Sequence, residues 1–212
     1  MENMKNIVRE GYDKGDYPVA FRRNRTLTPF ETRMFSSLEL HLREGARILD
    51  LGCGIGIPYD IYLRDKGYEI TGVDFSEKHL KKARALVKGV RFVQADYTEM
   101  SFKRESYDAV ISFYSIFHVP RKEQFQLFQT MHRVLRQGGV SLFTLGVSSY
   151  EYSEEENWAG SPRMAWSSWS VSEYIDMLEK VGLRIITTEY EGNPGDQEYH
   201  CWVLCLKSTT HP

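Results

Sequence analysis

Asp50-Leu51-Gly52-Cys53-Gly54-Ile55-Gly56 follows the apolar pair Ile48-Leu49, and no other stretch constrains the fold as strongly. It reads as a buried strand that ends in a glycine-rich turn and opens into a helix. Glycines let the backbone turn sharply and approach a ligand with no Cβ in the way. The helix N-terminus that follows offers unpaired N–H groups and a partial positive charge. Alone, such a loop suits a nucleotide, a phosphate or no ligand at all. The acidic residues that end the next two strand-like runs, Asp74 and Asp96, narrow the choice.

From residue 46 the chain alternates strand and helix patterns. Strand-like runs rich in Val, Ile, Leu and Phe occupy 47–51, 69–74, 90–95, 107–113 and 139–146. Ser76 caps a helix with inner face Leu80, Ala83 and Val87, stopped by Gly89. After Pro120, the set Phe125, Phe128, Met131 and Leu135 marks another helix, stopped by Gly138-Gly139. Strands joined by single crossover helices predict a parallel sheet covered on both faces.

Towards the end the alternation breaks. Ser170 and Glu173 form a capping box for a helix whose apolar face is Tyr174, Ile175, Leu178 and Val181. Strand 183–190 then runs through the turn-rich Gly192-Asn193-Pro194-Gly195 straight into strand 199–207. Two strands joined by a loop rather than a crossover pair antiparallel. The expectation is a mostly parallel seven-stranded sheet with one antiparallel strand near an edge.

Two segments lie outside this core. Residues 1–45 hold a short helix-like stretch, an aromatic and basic segment, and a helix opened by the capping box Thr28-Pro29-Phe30-Glu31. Its apolar positions Met34, Leu38 and Leu42 recur every four residues. Residues 147–170, with Tyr150, Tyr152, Trp158, Met164, Trp166 and Trp169, form a long insertion. Connections of that length are lids, binding loops or disordered, and the aromatic density argues against disorder.

Composition bounds the partners. With 27 basic and 29 acidic residues among 212, net charge calls for neither nucleic acid nor membrane. No apolar run approaches the ~18 residues of a membrane span, and Met1-Glu2-Asn3-Met4-Lys5 lacks the apolar core of a secretion signal. Three cysteines are too few and too odd for a disulfide framework. Cys201 and Cys205 read as small buried apolar residues rather than a metal or redox pair. These features predict a cytoplasmic globular protein without a metal.

In open parallel sheets, ligands sit outside the carboxyl ends of the strands where the strand order reverses. Those ends present Asp50 and the glycine loop, Asp74-Phe75, Asp96-Tyr97 and Phe113-Tyr114-Ser115. An acidic residue ending the second strand accepts hydrogen bonds from both ribose hydroxyls, and Asp74 lies 18 residues after Gly56, near the ~20 of dinucleotide folds. Asp96 is placed to accept from an exocyclic amine, with Phe75 or Tyr97 against a flat base. Together they describe an adenosine site. A dinucleotide fits less well, because its third glycine falls on Ile57 and because Asp50 repels a pyrophosphate but suits a cation.

The stretch Ile48 to Gly56 resembles the first motif of class I S-adenosylmethionine-dependent methyltransferases. Ile70-Thr71-Gly72-Val73-Asp74-Phe75-Ser76 resembles their second motif and Phe92-Val93-Gln94-Ala95-Asp96 their third. Tyr107-Asp108-Ala109-Val110-Ile111-Ser112 and Val134-Leu135-Arg136-Gln137-Gly138-Gly139 resemble the two later ones. The resemblance covers about residues 45–146. It implies an α/β, Rossmann-like three-layer sandwich with a cofactor-binding core over 46–146, to which the residue patterns add N-terminal helices over 1–45, a cap insertion over 147–170 and a C-terminal helix and strand pair over 171–212. It also implies S-adenosylmethionine as cofactor, S-adenosylhomocysteine as product, and the methionine moiety held by Asp50, Gly52, Cys53 and Gly54. Asp74 takes the ribose and Asp96 the adenine amine, with Phe75, Tyr97, Phe113 and Tyr17 as further cofactor contacts.

For catalysis, a sulfonium is already a strong methyl donor, so the protein chiefly aligns the acceptor and excludes water. A base is needed only for an acceptor that carries a proton. His118, just past the fourth strand, is placed to be that base; orienting the cofactor or packing the loop are its other readings. Tyr12, Trp158, Trp166 and Trp169 are candidate acceptor contacts, placed to roof a small, partly apolar or aromatic molecule. Ser112-Phe113-Tyr114-Ser115 departs from the Asn/Asp-Pro-Pro-Tyr pattern of enzymes that methylate base or amide nitrogens. The cluster Arg22, Arg23 and Arg25 and the run Glu154, Glu155 and Glu156 read first as solvated faces. The expectation is methyl transfer to a small molecule. A non-catalytic cofactor-binding module and an RNA or protein methyltransferase stand as alternatives.

Overall fold

The computed structural model describes residues 3–17, 25–196 and 199–208. Helices α1 (Met4–Lys14) and α2 (Pro29–Glu39) precede the alternating core. That core comprises β1 (Arg47–Leu51), α3 (Tyr59–Asp65), β2 (Glu69–Asp74), α4 (Glu77–Leu86), β3 (Arg91–Gln94), β4 (Tyr107–Ser112), α5 (Arg121–Val134) and β5 (Leu135–Leu145). Next come β6 (Tyr150–Glu156), β7 (Arg163–Ser168), α6 (Val171–Lys180), β8 (Leu183–Glu191) and β9 (His200–Lys207). The main sheet has seven strands in the order β3-β2-β1-β4-β5-β9-β8. Strands β1 to β5 pair in parallel, whereas β9 runs antiparallel to both β5 and β8 and lies one place in from the edge. The order reverses between β1 and β4.

Alternating side chains bury the sheet on both faces. Leu49, Val110, Phe143 and Val203 pack with Phe128 and Met131 of α5 and with Tyr174 and Leu178 of α6. Their neighbours Ile48, Ile111, Leu142 and Leu204 turn to the other face, against Met34, Phe35 and Leu38 of α2 and Leu63 of α3. This gives three layers. The capping boxes at Thr28–Glu31 and Ser170–Glu173 form with both reciprocal hydrogen bonds, a device worth about 0.5–2 kcal/mol for the cap residue alone.

Three local features differ from the sequence reading. No helix joins β3 to β4; residues 95–106 carry the chain irregularly from the sheet edge to the far side of β1. Helix α5 ends at Val134 and β5 starts at Leu135, because a bulge opposite Tyr107–Ala109 takes up the extra residues and Gly138 turns there at φ 71°. Residues 147–170 contain an antiparallel hairpin, β6 with β7, closed through a 3-10 turn at Trp158–Gly160. Helix α1 lies on that hairpin through Met4, Ile7 and Val8 against Met164 and Ala165. A Cβ at Gly11 would stand 2.5 Å from the Arg163 carbonyl oxygen, so the approach of α1 to β7 requires glycine.

Candidate functional site

The glycine loop is tied to β2 before any ligand is considered. The N–H groups of Gly52 and Cys53 both donate to the Val73 carbonyl, at 2.8 and 3.1 Å. Gly52 holds φ 82°, and a Cβ there would meet Ser115 Oγ at 2.1 Å, so both backbone and space demand glycine. Gly54, at φ 55°, faces open space where its Cβ would be. Its N–H donates to Asp74 Oδ2 at 2.9 Å, and Ser76 N–H donates to Asp74 Oδ1 at 2.8 Å. The carboxylate is thereby fixed, and each oxygen keeps a lone pair for a further donor. Burial raises the Asp74 carboxyl above its ordinary range, opposed by nearby His79 and by the two N–H groups.

Gly52, Gly54, Asp74, Phe75, Asp96 and Tyr97 line one cleft at the carboxyl ends of the strands. Phe113, Tyr17, Tyr12 and His118 complete its wall. Helix α1 closes the cleft, leaving about 60 Å³ of free space, less than the ~300 Å³ at the lower end of ligand sites. Lys5 of α1 reaches Asp96 Oδ2 at 3.2 Å, Glu123 at 2.6 Å and the Thr98 hydroxyl at 2.6 Å. Asp96 Oδ1 also accepts from the backbone N–H and hydroxyl of Thr98. Burial alone would raise the Asp96 carboxyl, but Thr98 and Lys5 hold it below the usual value.

Three residues singled out in the sequence line neither this cleft nor the larger cavity beside it. Asp50 lies behind the loop, 2 % exposed. Cys53 turns its Sγ back towards Gly72 of β2. Trp169 packs on the core beneath the Arg121 guanidinium, 3.5 Å from its ring centre, and lines neither cavity of the site. Arg22 and Arg23 lie outside the described residues, whereas Arg25 pairs with buried Glu31 at 2.6 Å.

A second, larger cavity of about 600 Å³ opens beside the cleft, and Tyr12, Tyr17, Tyr114 and His118 line both. Trp158 and Trp166 form its roof, with Trp158 stacked on Tyr17 at 5.7 Å and edge-on to Trp166 at 5.6 Å. His118 is buried between the two spaces. Its Nδ1 lies 2.8 Å from the Ala165 carbonyl, which can only accept, so Nδ1 carries the proton. Nε2 is therefore the acceptor, facing the Tyr12 hydroxyl at 2.9 Å. Burial lowers the His118 pKa to about 4, leaving the ring neutral at ordinary pH. Tyr114 holds φ 54°, an uncommon backbone for a bulky residue, and its hydroxyl donates to Glu191 at 2.5 Å.

Sequence reasoning missed Lys5 and His79. Lys5 belongs to a helix far from Asp96 in the chain, and nothing local marks its partners. His79 sits in the first turn of α4, 2 % exposed, with Nε2 reached by no partner among the described residues and the Tyr12 ring against it. Its place five residues after Asp74, on the first turn of a capped helix, is the signal that would have found it. Among the described residues, no group of three or more His, Cys, Asp or Glu side chains is placed to hold a metal, and no helix is long and apolar enough to cross a membrane.

Residues 48–139 match the family described as a methyltransferase domain. Squalene methyltransferase 1 of Botryococcus braunii is 29 % identical over 175 residues, covering 74 % of this chain and 44 % of that protein. The chain thus spans about half the length of the curated relatives it matches. A solved S-adenosylmethionine-dependent methyltransferase of Methanosarcina mazei superposes with a TM-score of 0.71 at 18 % identity, covering 88 % of this chain and all of the other. The 1,6-didemethyltoxoflavin-N1-methyltransferase of Burkholderia thailandensis, solved with 1,6-didemethyltoxoflavin and S-adenosylhomocysteine, gives a TM-score of 0.66 at 18 % identity over 84 % of this chain and 77 % of that one. The pinned glycine loop and the fixed Asp74 carboxylate lie inside the matched segment, so residues 48–139 carry a methyltransferase domain, and the strand order around them is the fold shared with solved S-adenosylmethionine-dependent methyltransferases.

Proposed function

We propose that the protein transfers a methyl group from S-adenosylmethionine to a small-molecule acceptor held in the larger cavity. The observation that carries this reading is the wall shared by cleft and cavity, in which the His118 imidazole lies between the two spaces. In this reading the open face of Gly54 receives the methionine moiety, and the spare lone pairs of Asp74 take the ribose hydroxyls. Phe75 and Tyr97 flank the base, and Asp96 takes its amine once Lys5 moves aside. Tyr17 covers the cofactor from the N-terminal side, and Phe113 supports the floor. Bound there, the cofactor supplies a methyl group already activated on sulfonium.

The chain's own residues then have three tasks. Tyr12, Tyr17, Trp158 and Trp166 exclude water and hold the acceptor. The loop and Asp74 fix the position of the donor. His118 Nε2, kept free of a proton by the Ala165 contact at Nδ1, accepts the acceptor's proton after the Tyr12 hydroxyl turns away. A cavity of about 600 Å³ with aromatic walls suits a partly apolar or aromatic molecule rather than a polymer. The Burkholderia neighbour, which holds a small molecule together with S-adenosylhomocysteine, supports the same class.

Incubating the protein with methyl-labelled S-adenosylmethionine and a panel of small phenols, amines and heteroaromatic compounds tests the proposal. Label should move to at least one compound, with S-adenosylhomocysteine formed in equal amount. Label on RNA or protein alone would displace the small-molecule reading, and cofactor binding with no transfer to any class would point to a binding module.

A further inference from the structure

Two buried carboxyls lie directly beneath the glycine loop. Asp50, near the end of β1, is 2 % exposed, and Asp60, the second residue of α3, is fully buried. Among the described residues no N–H or hydroxyl donor reaches Asp50 Oδ1 or either Asp60 oxygen, and each side chain is the other's hydrogen-bonding neighbour. A Cβ at Gly56 would lie 3.2 Å from Asp60 Oδ2, so the loop backbone rests on this side chain.

The surroundings do not neutralise the pair. Asp74 from β2 raises the Asp50 carboxyl further, and the Cys53 thiol in the loop and the Tyr97 phenol after β3 are both held protonated by burial and by the nearby carboxylates, so neither supplies a positive charge. The nearest β4 hydroxyl, Ser112, donates to the Leu51 carbonyl instead. His79 of α4 interacts with Asp74, and burial lowers its pKa, which favours the neutral ring. Two ionised carboxylates in contact in such a place repel strongly, so a proton lies between them.

We propose that Asp50 and Asp60 share one proton before the cofactor binds and release it when a cationic cofactor settles on the glycine loop, which makes Asp60 a positioning residue of that site. The step balances: the pair passes from one negative charge to two, and one proton leaves to solvent. The field of the bound cation favours the doubly ionised pair, and the ionised pair in turn favours the cation. Burial brings the Asp60 carboxyl up to about 7, and burial together with the neighbouring Asp60 and Asp74 raises the Asp50 carboxyl well above its ordinary value, so the pair still holds a proton at neutral pH. The inference rests on the cofactor reading above.

Calorimetry of S-adenosylmethionine binding to the full chain, in buffers of differing ionisation enthalpy at neutral pH, counts the protons. Wild type should release a measurable fraction of one proton per cofactor bound, and less with S-adenosylhomocysteine, which lacks the sulfonium charge. Its affinity should weaken on acidification, by up to about tenfold per pH unit below the pair's titration. Asp60→Asn keeps the shape and donates an N–H to Asp50. It should bind cofactor with no proton release and a flattened pH profile. No proton release from wild type, or undiminished release from Asp60→Asn, overturns the proposal while leaving the cofactor site standing. No binding of either compound at any pH takes down the cofactor reading and this proposal with it. Should Asp60→Asn fail to fold, the infrared band of a protonated buried carboxyl in wild type decides. It should be present at neutral pH and vanish on cofactor binding; absence at the outset, or persistence after binding, overturns the proposal.

Discussion

The Tyr12 hydroxyl donates to Nε2 of His118 at 2.9 Å, joining two residues 106 positions apart. The direction of this bond is set by the opposite side of the ring, where the Ala165 carbonyl of β7 holds the proton on Nδ1. Three separate segments thus meet at one imidazole: the N-terminal helix, the turn after β4 and the cap hairpin. The orientation of the imidazole depends on both flanking segments.

His118→Gln is expected to lower the methyl-transfer rate by about 10²–10⁴, the usual worth of a positioned base. Cofactor affinity should change little, because the Gly54 and Asp74 contacts remain. Tyr12→Phe should destabilise the fold by about 1–3 kcal/mol by leaving buried Nε2 without a donor. Steady-state kinetics, cofactor titration and chemical denaturation measure these effects. An unaltered rate for His118→Gln would return His118 to a packing role.

The same histidine carries a pH signature. Its folded pKa of about 4 lies below the unfolded value of 6.5, so the unfolded chain binds the extra proton between them. The stabilisation is complete above pH 6.5 and is lost as pH falls towards 4. It amounts to about 3 kcal/mol at most for a shift of that size. The stability difference between wild type and His118→Gln should therefore shrink over this window. A difference independent of pH would contradict the buried neutral ring. Taking the difference removes the opposing contribution of Asp50 and Asp60, whose raised pKa values favour the folded state as pH falls.

Lys5 anchors α1 across the cleft through Asp96 and Glu123. Burial works against its charge, but the Glu123 and Asp96 carboxylates outweigh that effect, so the ammonium stays protonated. Lys5→Met should loosen α1 and raise the cofactor association rate by about tenfold, the equivalent of ~1.4 kcal/mol. Stopped-flow tryptophan fluorescence, with Trp158 as reporter, would follow it. An unchanged rate would mean that α1 does not limit entry.

Most of the cleft at the carboxyl ends of the strands was legible in the sequence because it is built locally. Strand, glycine turn and helix are adjacent in the chain, and Asp74 and Asp96 follow from counting strand ends. The cap was not legible as a hairpin: Glu151, Tyr152, Ser153 and Glu154 face solvent with no apolar alternation, so β6 carries no period-two signal. Asp60 looks like any polar residue on a short helix. Only its burial against Asp50 separates it from the exposed Asp65 of the same helix. Trp169, chosen by aromatic density, belongs to the core instead, because the end of β7 turns it under Arg121.

That distinction between tryptophans can be measured. Trp158→Ala should raise the acceptor KM by about tenfold or more, as expected for removing a large aromatic wall, with cofactor affinity unaltered. Trp169→Phe should leave KM unchanged and lower stability only slightly. Equal effects on KM from both variants would contradict the assignment of the cavity roof.

The central claim is that the carboxyl ends of β1, β2 and β3 hold S-adenosylmethionine, with Asp74 fixed by Gly54 and Ser76 to receive the ribose. Calorimetric titration of wild type and Asp74→Ala with S-adenosylmethionine and S-adenosylhomocysteine tests it most directly. Wild type should bind both. The variant should lose two charge-assisted hydrogen bonds of about 1.5–3 kcal/mol each, weakening affinity by at least ~10². Absence of binding to wild type, or equal affinity in the two proteins, would contradict the account.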